Sequence, residues 1–167
     1  MNVLTRSLKA AWEEATKPAG YVKGDEFEQY VRITLFPRDL YDLLEKTHDY
    51  RDNRDDFIES SKFPDYKLRL KSNGFEFFVE AKFRARFQDQ ILEWGKFFQL
   101  KRYQEIDSIT PVFIAVGLSG RPSMPEQVFL MPVRHIKFVK LYPGFMQKYE
   151  VEPNQPVNEK ILKRILE

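Results

Sequence analysis

The stretch Tyr66-Lys67-Leu68-Arg69-Leu70-Lys71-Ser72-Asn73-Gly74-Phe75-Glu76-Phe77-Phe78-Val79-Glu80-Ala81-Lys82 decides how this chain folds. Residues 66–71 and 75–82 alternate apolar and polar side chains, the pattern of half-buried strands. The intervening Asn73-Gly74 favours a two-residue hairpin turn, because both residue types tolerate positive φ. With that loop, Leu70 is predicted to face Phe77, Leu68 to face Val79 and Tyr66 to face Ala81 on an apolar side. On the polar side Lys71 meets Glu76, Arg69 meets Phe78, Lys67 meets Glu80 and Asp65 meets Lys82. Opposed Cβ atoms sit about 4.5–5.5 Å apart, so Asp65, Glu80 and Lys82 converge on one patch. A slip by one residue would bury the charges instead.

Two chemistries fit the patch. Lys71–Glu76, Lys67–Glu80 and Asp65–Lys82 can be cross-strand ion pairs on a solvated face, each worth about 0.2–1 kcal/mol. Alternatively, Asp65 and Glu80 chelate a hard divalent cation. Mg²⁺ takes one or two carboxylates and fills its remaining positions with water and phosphate oxygens. Such a cation acidifies a bound water and stabilises charge on a phosphate. Lys82 would hold the attacking water or neutralise developing negative charge.

Outward from the hairpin the chain alternates helices and strands. Leu4, Leu8, Ala11, Trp12 and Ala15 recur at helical spacing, so residues 3–16 read as an amphipathic helix ended by Lys17-Pro18-Ala19-Gly20. A second helix is expected over residues 25–36, with Phe27, Val31 and Leu35 on its apolar side and Pro37 as its stop. Leu40, Leu43 and Leu44 suggest a short element, and residues 49–56 an exposed loop. After the hairpin come a long helix over residues 88–106 and a buried strand over 111–118. Gly120-Arg121-Pro122-Ser123-Met124-Pro125 leads to another strand over 127–133, and a helix over 157–166 closes the chain. That order predicts an α/β sandwich around a mixed sheet.

A length of 167 residues suits one domain, and with 43% hydrophobic and 15% aromatic residues the chain can fill a core. It has no cysteine, which excludes a disulfide scaffold, a thiolate zinc site and a cysteine nucleophile. His48 and His135 are the only imidazoles; neither has a partner spacing that suggests acid–base work, and both are expected at the surface. Most of the aromatics from Phe75 to Phe98 are core candidates; Phe78, on the polar hairpin face, packs under a helix or stacks on a base. No apolar run approaches a membrane span. Arg6, Lys9, Glu13 and Glu14 interrupt the N-terminus, so no signal peptide is expected and a soluble cytoplasmic protein is. The net charge of +2 conceals a partition. Residues 39–61 carry eight acidic against three basic side chains, and residues 62–103 carry ten basic against five acidic. The two stretches either attract each other or leave an anion-binding strip on residues 62–103.

Phe63-Pro64-Asp65, followed after a hairpin by Glu80-Ala81-Lys82, resembles the signature of the PD-(D/E)XK nuclease superfamily over residues 24–135, its catalytic core. Asp65-Tyr66-Lys67 also fits acid-x-Lys, but it lacks an upstream Pro-Asp and a hairpin. The superfamily typically carries a glutamate on the preceding helix, and Glu28 in Gly24-Asp25-Glu26-Phe27-Glu28 fits that place, with Glu26 in reserve. Glu28 equally fits a capping box with Asp25 as N-cap. Some resolvase-like and restriction-like members have Gln, three residues, then Tyr on the helix after the Lys strand. Gln99-Leu100-Lys101-Arg102-Tyr103 matches that pattern and puts both polar tips on one helix face; the other reading of Tyr103 is packing.

The resemblance implies a restriction-endonuclease-like sandwich, a central mixed β-sheet flanked by helices, as one domain over residues 1–167. It implies a Mg²⁺-dependent endonuclease acting on DNA, with Mn²⁺ able to substitute. Glu28, Asp65, Glu80 and the backbone carbonyl of Ala81 would hold the metal. Lys82 would position the water, and Gln99 and Tyr103 would orient the site or the scissile phosphate. Lys67, Arg69, Arg84, Arg86, Lys101 and Arg102 would contact the nucleic-acid backbone. A homodimer or partner protein would be needed to span both strands. The competing expectation is a non-catalytic nucleic-acid-binding or interaction domain that keeps the fold.

Overall fold

A computed structural model describes residues 19–47 and 63–167. The helix expected over residues 3–16, the loop over 49–56 and His48 lie outside them. Helix α1 (Ala19–Tyr30) runs into a π-helical turn over Val31–Leu35. The turn closes on an N–H of Phe36 donated to the Val31 carbonyl at 2.9 Å, and Pro37 excludes a further helical turn because it forces its predecessor out of the α region. Phe27, Val31 and Leu35 are fully buried, as their spacing predicts. Two expectations fail here. Ala19-Gly20 belongs to the helix instead of stopping one, and Asp25 lies inside α1, so no capping box forms around it.

Strands β1 (Tyr41–Lys46), β2 (Tyr66–Leu70) and β3 (Glu76–Arg84) follow. The short β4 (Leu92–Glu93) and helix α2 (Phe97–Asp107) lead to β5 (Val112–Arg121) and β6 (Met124–Pro132). β7 (Lys140–Leu141), α3 (Pro143–Met146), β8 (Glu150–Val151) and α4 (Glu159–Leu166) complete the described chain. The main sheet has the order β1-β2-β3-β5-β6-β8. All neighbours are antiparallel except β3 and β5, which run parallel with Glu80 beside Ile114 and Lys82 beside Val116. β4 and β7 form a separate antiparallel pair. The mixed α/β sandwich is as expected.

Successive β3 side chains alternate between faces. Phe77 and Phe83 pack toward α1 and its π turn, with ring centroids 5.4 Å from Phe36 and 6.0 Å from Phe27. Phe78, Glu80 and Lys82 point to the other face, where Tyr103 of α2 meets Glu80. Phe27 fits only because β5 presents Gly117 beneath it, where a Cβ would stand 2.4 Å from the ring.

The hairpin keeps the expected faces but not the expected register. Tyr66 pairs with Val79, Lys67 with Phe78, Leu68 with Phe77 and Arg69 with Glu76. The strands are therefore offset by two residues, and the loop holds four residues, Lys71 to Gly74. Gly74 alone there takes positive φ (75°); Asn73 instead accepts the Phe75 N–H on its side chain at 2.9 Å. A turn with left-handed backbone at both central positions is thus not made. None of the three anticipated hairpin ion pairs forms. Lys67 reaches Glu45 (3.9 Å), while Arg69 and Lys71 reach Asp42 (3.2 and 3.8 Å), so the acidic stretch offsets the basic one across β1 and β2.

The helix expected over 88–106 is shortened at its front. Gln88 and Ile91 bond reciprocally around Asp89 and Gln90, whose φ angles of 50° and 63° are not helical. Gly120 to Pro125, read as a connection, belongs to the long β5–β6 hairpin. Phe97 and Phe98, counted as core candidates, are 66% and 69% exposed. His135 is half-buried, its Nδ1 lying 3.0 Å from the Tyr149 hydroxyl. No described helix is long and apolar enough to cross a membrane.

Candidate active site

Where β1 ends, Thr47 fixes the entry to β2. Its N–H donates to the Asp65 carbonyl at 2.9 Å and its hydroxyl donates to the Pro64 carbonyl. This clamp presents the Asp65 side chain to β3, where Oδ2 accepts the Ala81 N–H at 2.8 Å. The observed register, carried one step beyond Tyr66–Val79, sets Asp65 opposite Glu80 instead of Lys82. The two-residue offset therefore brings the two carboxyls together. Their side chains are hydrogen-bonded, and Glu28 on α1 bonds to Asp65 from the other side. Tyr66 anchors that helix segment by donating its hydroxyl to the Glu28 carbonyl at 3.2 Å.

Glu80 is only 5% exposed, the one charged residue among the described ones in the buried class. Its Oε2 accepts the Tyr103 hydroxyl and lies 3.7 Å from Lys82 Nζ. Tyr103 is fully buried and stacks on Trp94, with centroids 6.3 Å apart. Gln99 bonds Tyr103, and its Oε1 also accepts the Lys96 N–H at 3.0 Å. The Gln–Tyr pair thus forms one brace: Tyr103 touches the carboxyl chain and Gln99 steadies Tyr103.

Burial dominates the electrostatics. It pushes the Glu28 carboxyl up to about 7, against the opposing bond to Asp65. Asp65 is pushed up to about 6 by burial, against its bond to Glu80. Burial and then the Asp65 charge hold Glu80 well above the usual carboxylate range, although Lys82 opposes them. Three acids linked in a row share protons that a cation would displace. Among the described residues no three such side chains converge on a single point. The donor chemistry nonetheless fits a hard divalent cation, because adjacent Asp65 and Glu80 supply the one or two carboxylates that Mg²⁺ takes, with Glu28 next in line. The surrounding cavity of about 430 Å³ is lined by Gly24, Glu28, Asp65, Glu80, Ala81 and Lys82, continuing to Ala85.

A pH dependence follows. The native acids hold protons at pH values where the unfolded chain has released them, so stability falls as pH rises. The window runs from about 4, near the ordinary values of 3.8 and 4.5, to about 7. Metal-free protein is expected to lose at least about 5 °C of melting temperature across it, relative to Glu28→Gln. Melts in chelator at pH 4 to 8 check this; a wild-type curve no steeper than that of Glu28→Gln would contradict it.

The other basic candidates divide by environment. Arg84 spends its guanidinium on the carbonyls of Phe83, Glu93 and Trp94 (2.9, 2.9 and 3.2 Å) and so braces the segment after β3. Lys67 and Arg69 are engaged with β1, Lys67 also lying 5.5 Å from the Phe78 ring. Phe78 is buried there, beside Phe63. Lys101 lies over Phe97, and Arg102 lies over Phe63 and pairs with Glu105 at 3.4 Å. Arg86 is exposed. Sequence reasoning counted Trp94 among the core candidates, as its burial bears out, but missed its role as the support of Tyr103, and missed Lys46, whose charge opposes the rise of Glu28. The alternation of buried Leu92, exposed Glu93 and buried Trp94 was the available signal for the first.

No protein-family model matches the chain, and no curated protein matches its sequence. A likeness does exist among solved structures. The chain is similar to Hjc, a Holliday junction resolvase from the archaeal hyperthermophile Archaeoglobus fulgidus, with a TM-score of 0.54 and 12% sequence identity. The match covers 78% of this chain and 91% of that one. The fold of this chain is therefore the restriction-endonuclease-like fold, the architecture of the PD-(D/E)XK nucleases.

Proposed function

We propose that this protein is a divalent-metal-dependent DNA endonuclease. The observation that carries the reading is Asp65 facing Glu80, with Lys82 Nζ 3.7 Å from the latter, on a fold shared with a junction resolvase. Asp65 and Glu80 would hold Mg²⁺ or Mn²⁺, assisted by Glu28 and the Ala81 carbonyl. When bound, the cation supplies an acidified water and charge stabilisation at phosphate. Lys82 orients the attacking water and neutralises charge accumulating on the phosphate oxygens. Tyr103 fixes the Glu80 carboxyl by its hydroxyl, and Gln99 keeps Tyr103 in place. In-line attack of water on phosphorus would form the new P–O bond and break the bond to the 3′ oxygen, leaving a 5′-phosphate and a 3′-hydroxyl. The proton lost by the water would pass to solvent, and the 3′ oxygen would be protonated from solvent. Lys101, Arg102 and Arg86 contact the DNA backbone, with Lys67, Arg69 and Arg84 as further candidates. The catalytic unit is one domain over residues 1–167, acting in the cytoplasm as a homodimer or with a partner where both strands must be cut.

Purified protein with Mg²⁺ or Mn²⁺ is expected to nick plasmid or branched DNA and to be silent in chelator. Calorimetric titration should detect cation binding by wild type and at least about tenfold weaker binding by Glu80→Ala. Salt-sensitive DNA binding with no cation uptake and no cleavage would replace this reading with that of a non-catalytic DNA-binding domain.

A further inference from the structure

A second cavity, of about 560 Å³, adjoins the carboxylate cavity, and Lys82 and Arg84 stand in the wall of both. One rim is the Gln88–Ile91 turn; the other is the start of α2 at Lys96 and Gln99. The turn holds two consecutive non-glycine residues, Asp89 and Gln90, in left-handed backbone. Such strain costs free energy and gathers at ligand clamps. Arg86 and Lys140 line the groove; both are exposed, and neither forms an ion pair among the described residues. Of the two carboxylates in the lining, Glu93 is neutralised by Lys96 at 3.6 Å. Trp94 also lines the groove, and its buried Nε1 has no hydrogen-bond acceptor among the described residues. Directly after Lys96, Phe97 and Phe98 stand open to solvent on α2.

Charge, confinement and aromatics together select the ligand. Five cationic side chains stand against the two carboxylates of Asp89 and Glu93 in the lining, so the ligand is anionic. The volume falls within the roughly 300–1,000 Å³ of small-molecule pockets, too small to enclose a duplex but large enough to admit part of one strand. A cationic groove whose rim residue Lys96 leads directly into two exposed rings offers the combination that holds single strands through phosphates and base stacking. Resting on the nuclease reading above, we propose that this groove seats an unpaired DNA strand continuing from the scissile phosphate. Arg86 and Lys140 take its phosphates, and Phe97 and Phe98 stack on its bases. A boundary between duplex and single strand is then the substrate preferred over a continuous duplex.

The test compares two labelled duplexes of one sequence, one blunt and one with a single-stranded tail of about six nucleotides, by fluorescence anisotropy in chelator. Wild type should bind the tailed duplex at least about tenfold tighter. In Arg86→Ala/Lys140→Ala that advantage should fall below about threefold, and the log K against log salt slope for the tailed duplex should shrink by about one to two. Phe97→Ala/Phe98→Ala should also lose most of the advantage, which keeps the test decisive if one variant folds poorly by thermal melting. Equal or tighter binding of the blunt duplex by wild type, or an undiminished tail advantage in both folded variants, overturns the groove. If wild type binds neither duplex at low salt, the nuclease reading falls with it.

Discussion

Asp65→Asn is expected to lower metal-dependent DNA cleavage by at least about a thousandfold while leaving the metal-free protein at pH 8 as stable as wild type or more so. The two effects share one cause. Asp65 sits between two other carboxyls, and burial pushes its own up to about 6. At pH 8 the folded protein must therefore hold adjacent negative charges in a site that disfavours them. The amide removes one charge and preserves the architecture. Its oxygen still accepts the Ala81 N–H, at 2.8 Å in the wild type, and its NH₂ can donate to Glu80 or Glu28. The amide lacks the charge to hold a cation, so activity falls while stability does not, the trade expected where a function requires strained electrostatics. Thermal melts in chelator beside single-turnover cleavage decide it. Cleavage by the variant within tenfold of wild type would remove Asp65 from the site.

Lys82→Ala should cut the cleavage rate by about a hundred- to a thousandfold by a different route. Lys82 Nζ lies 3.7 Å from Glu80 Oε2 and is only partly exposed. Its charge competes with a cation for that carboxyl, so removing it should leave Mg²⁺ affinity unchanged or raised. The loss must then appear in the rate at saturating metal and DNA. Metal titration by calorimetry together with single-turnover kinetics separates the two quantities. Should affinity and rate collapse together, Lys82 would be a brace for the carboxyls and not a positioning group for water.

Parity was the legible part of the hairpin. Alternation from Tyr66 to Lys82 assigns faces, and faces survive an offset of two residues. The offset itself was hidden because Asn-Gly admits several loops. What distinguishes them here is that Asn73 bonds Phe75 through its side chain, and that Glu159 of α4 bonds Ser72 and Asn73, at 3.2 Å each. The second of these contacts spans about half of the chain and is invisible to a local reading. The helix over 88–106 was misplaced for a related reason. Leu92 and Trp94 are as compatible with helix as with strand until β7 supplies a partner. The lysines and arginines of β2 likewise gave no sign that β1 would take them. Glu28, Asp65, Glu80, Lys82 and Tyr103 could be picked out because the motif fixes residue types and order, whereas the support that Trp94 gives Tyr103 comes from just after β4, which no motif marks.

The four-residue loop at Lys71–Gly74 acts as a gauge for the chemistry one strand-length away. Were Lys71 and Ser72 to join β2 and leave Asn73-Gly74 alone in the turn, β3 would advance against β2 by one full pleat repeat, returning apolar side chains to apolar neighbours and costing the interior little. The same step would set Lys82 opposite Asp65 and carry Glu80 past it. Loop length thus chooses between a carboxyl pair and a salt bridge at nearly constant core composition. Substitutions that change the conformation of this surface turn are therefore a route by which such a scaffold can gain or lose a cation site without first being unfolded.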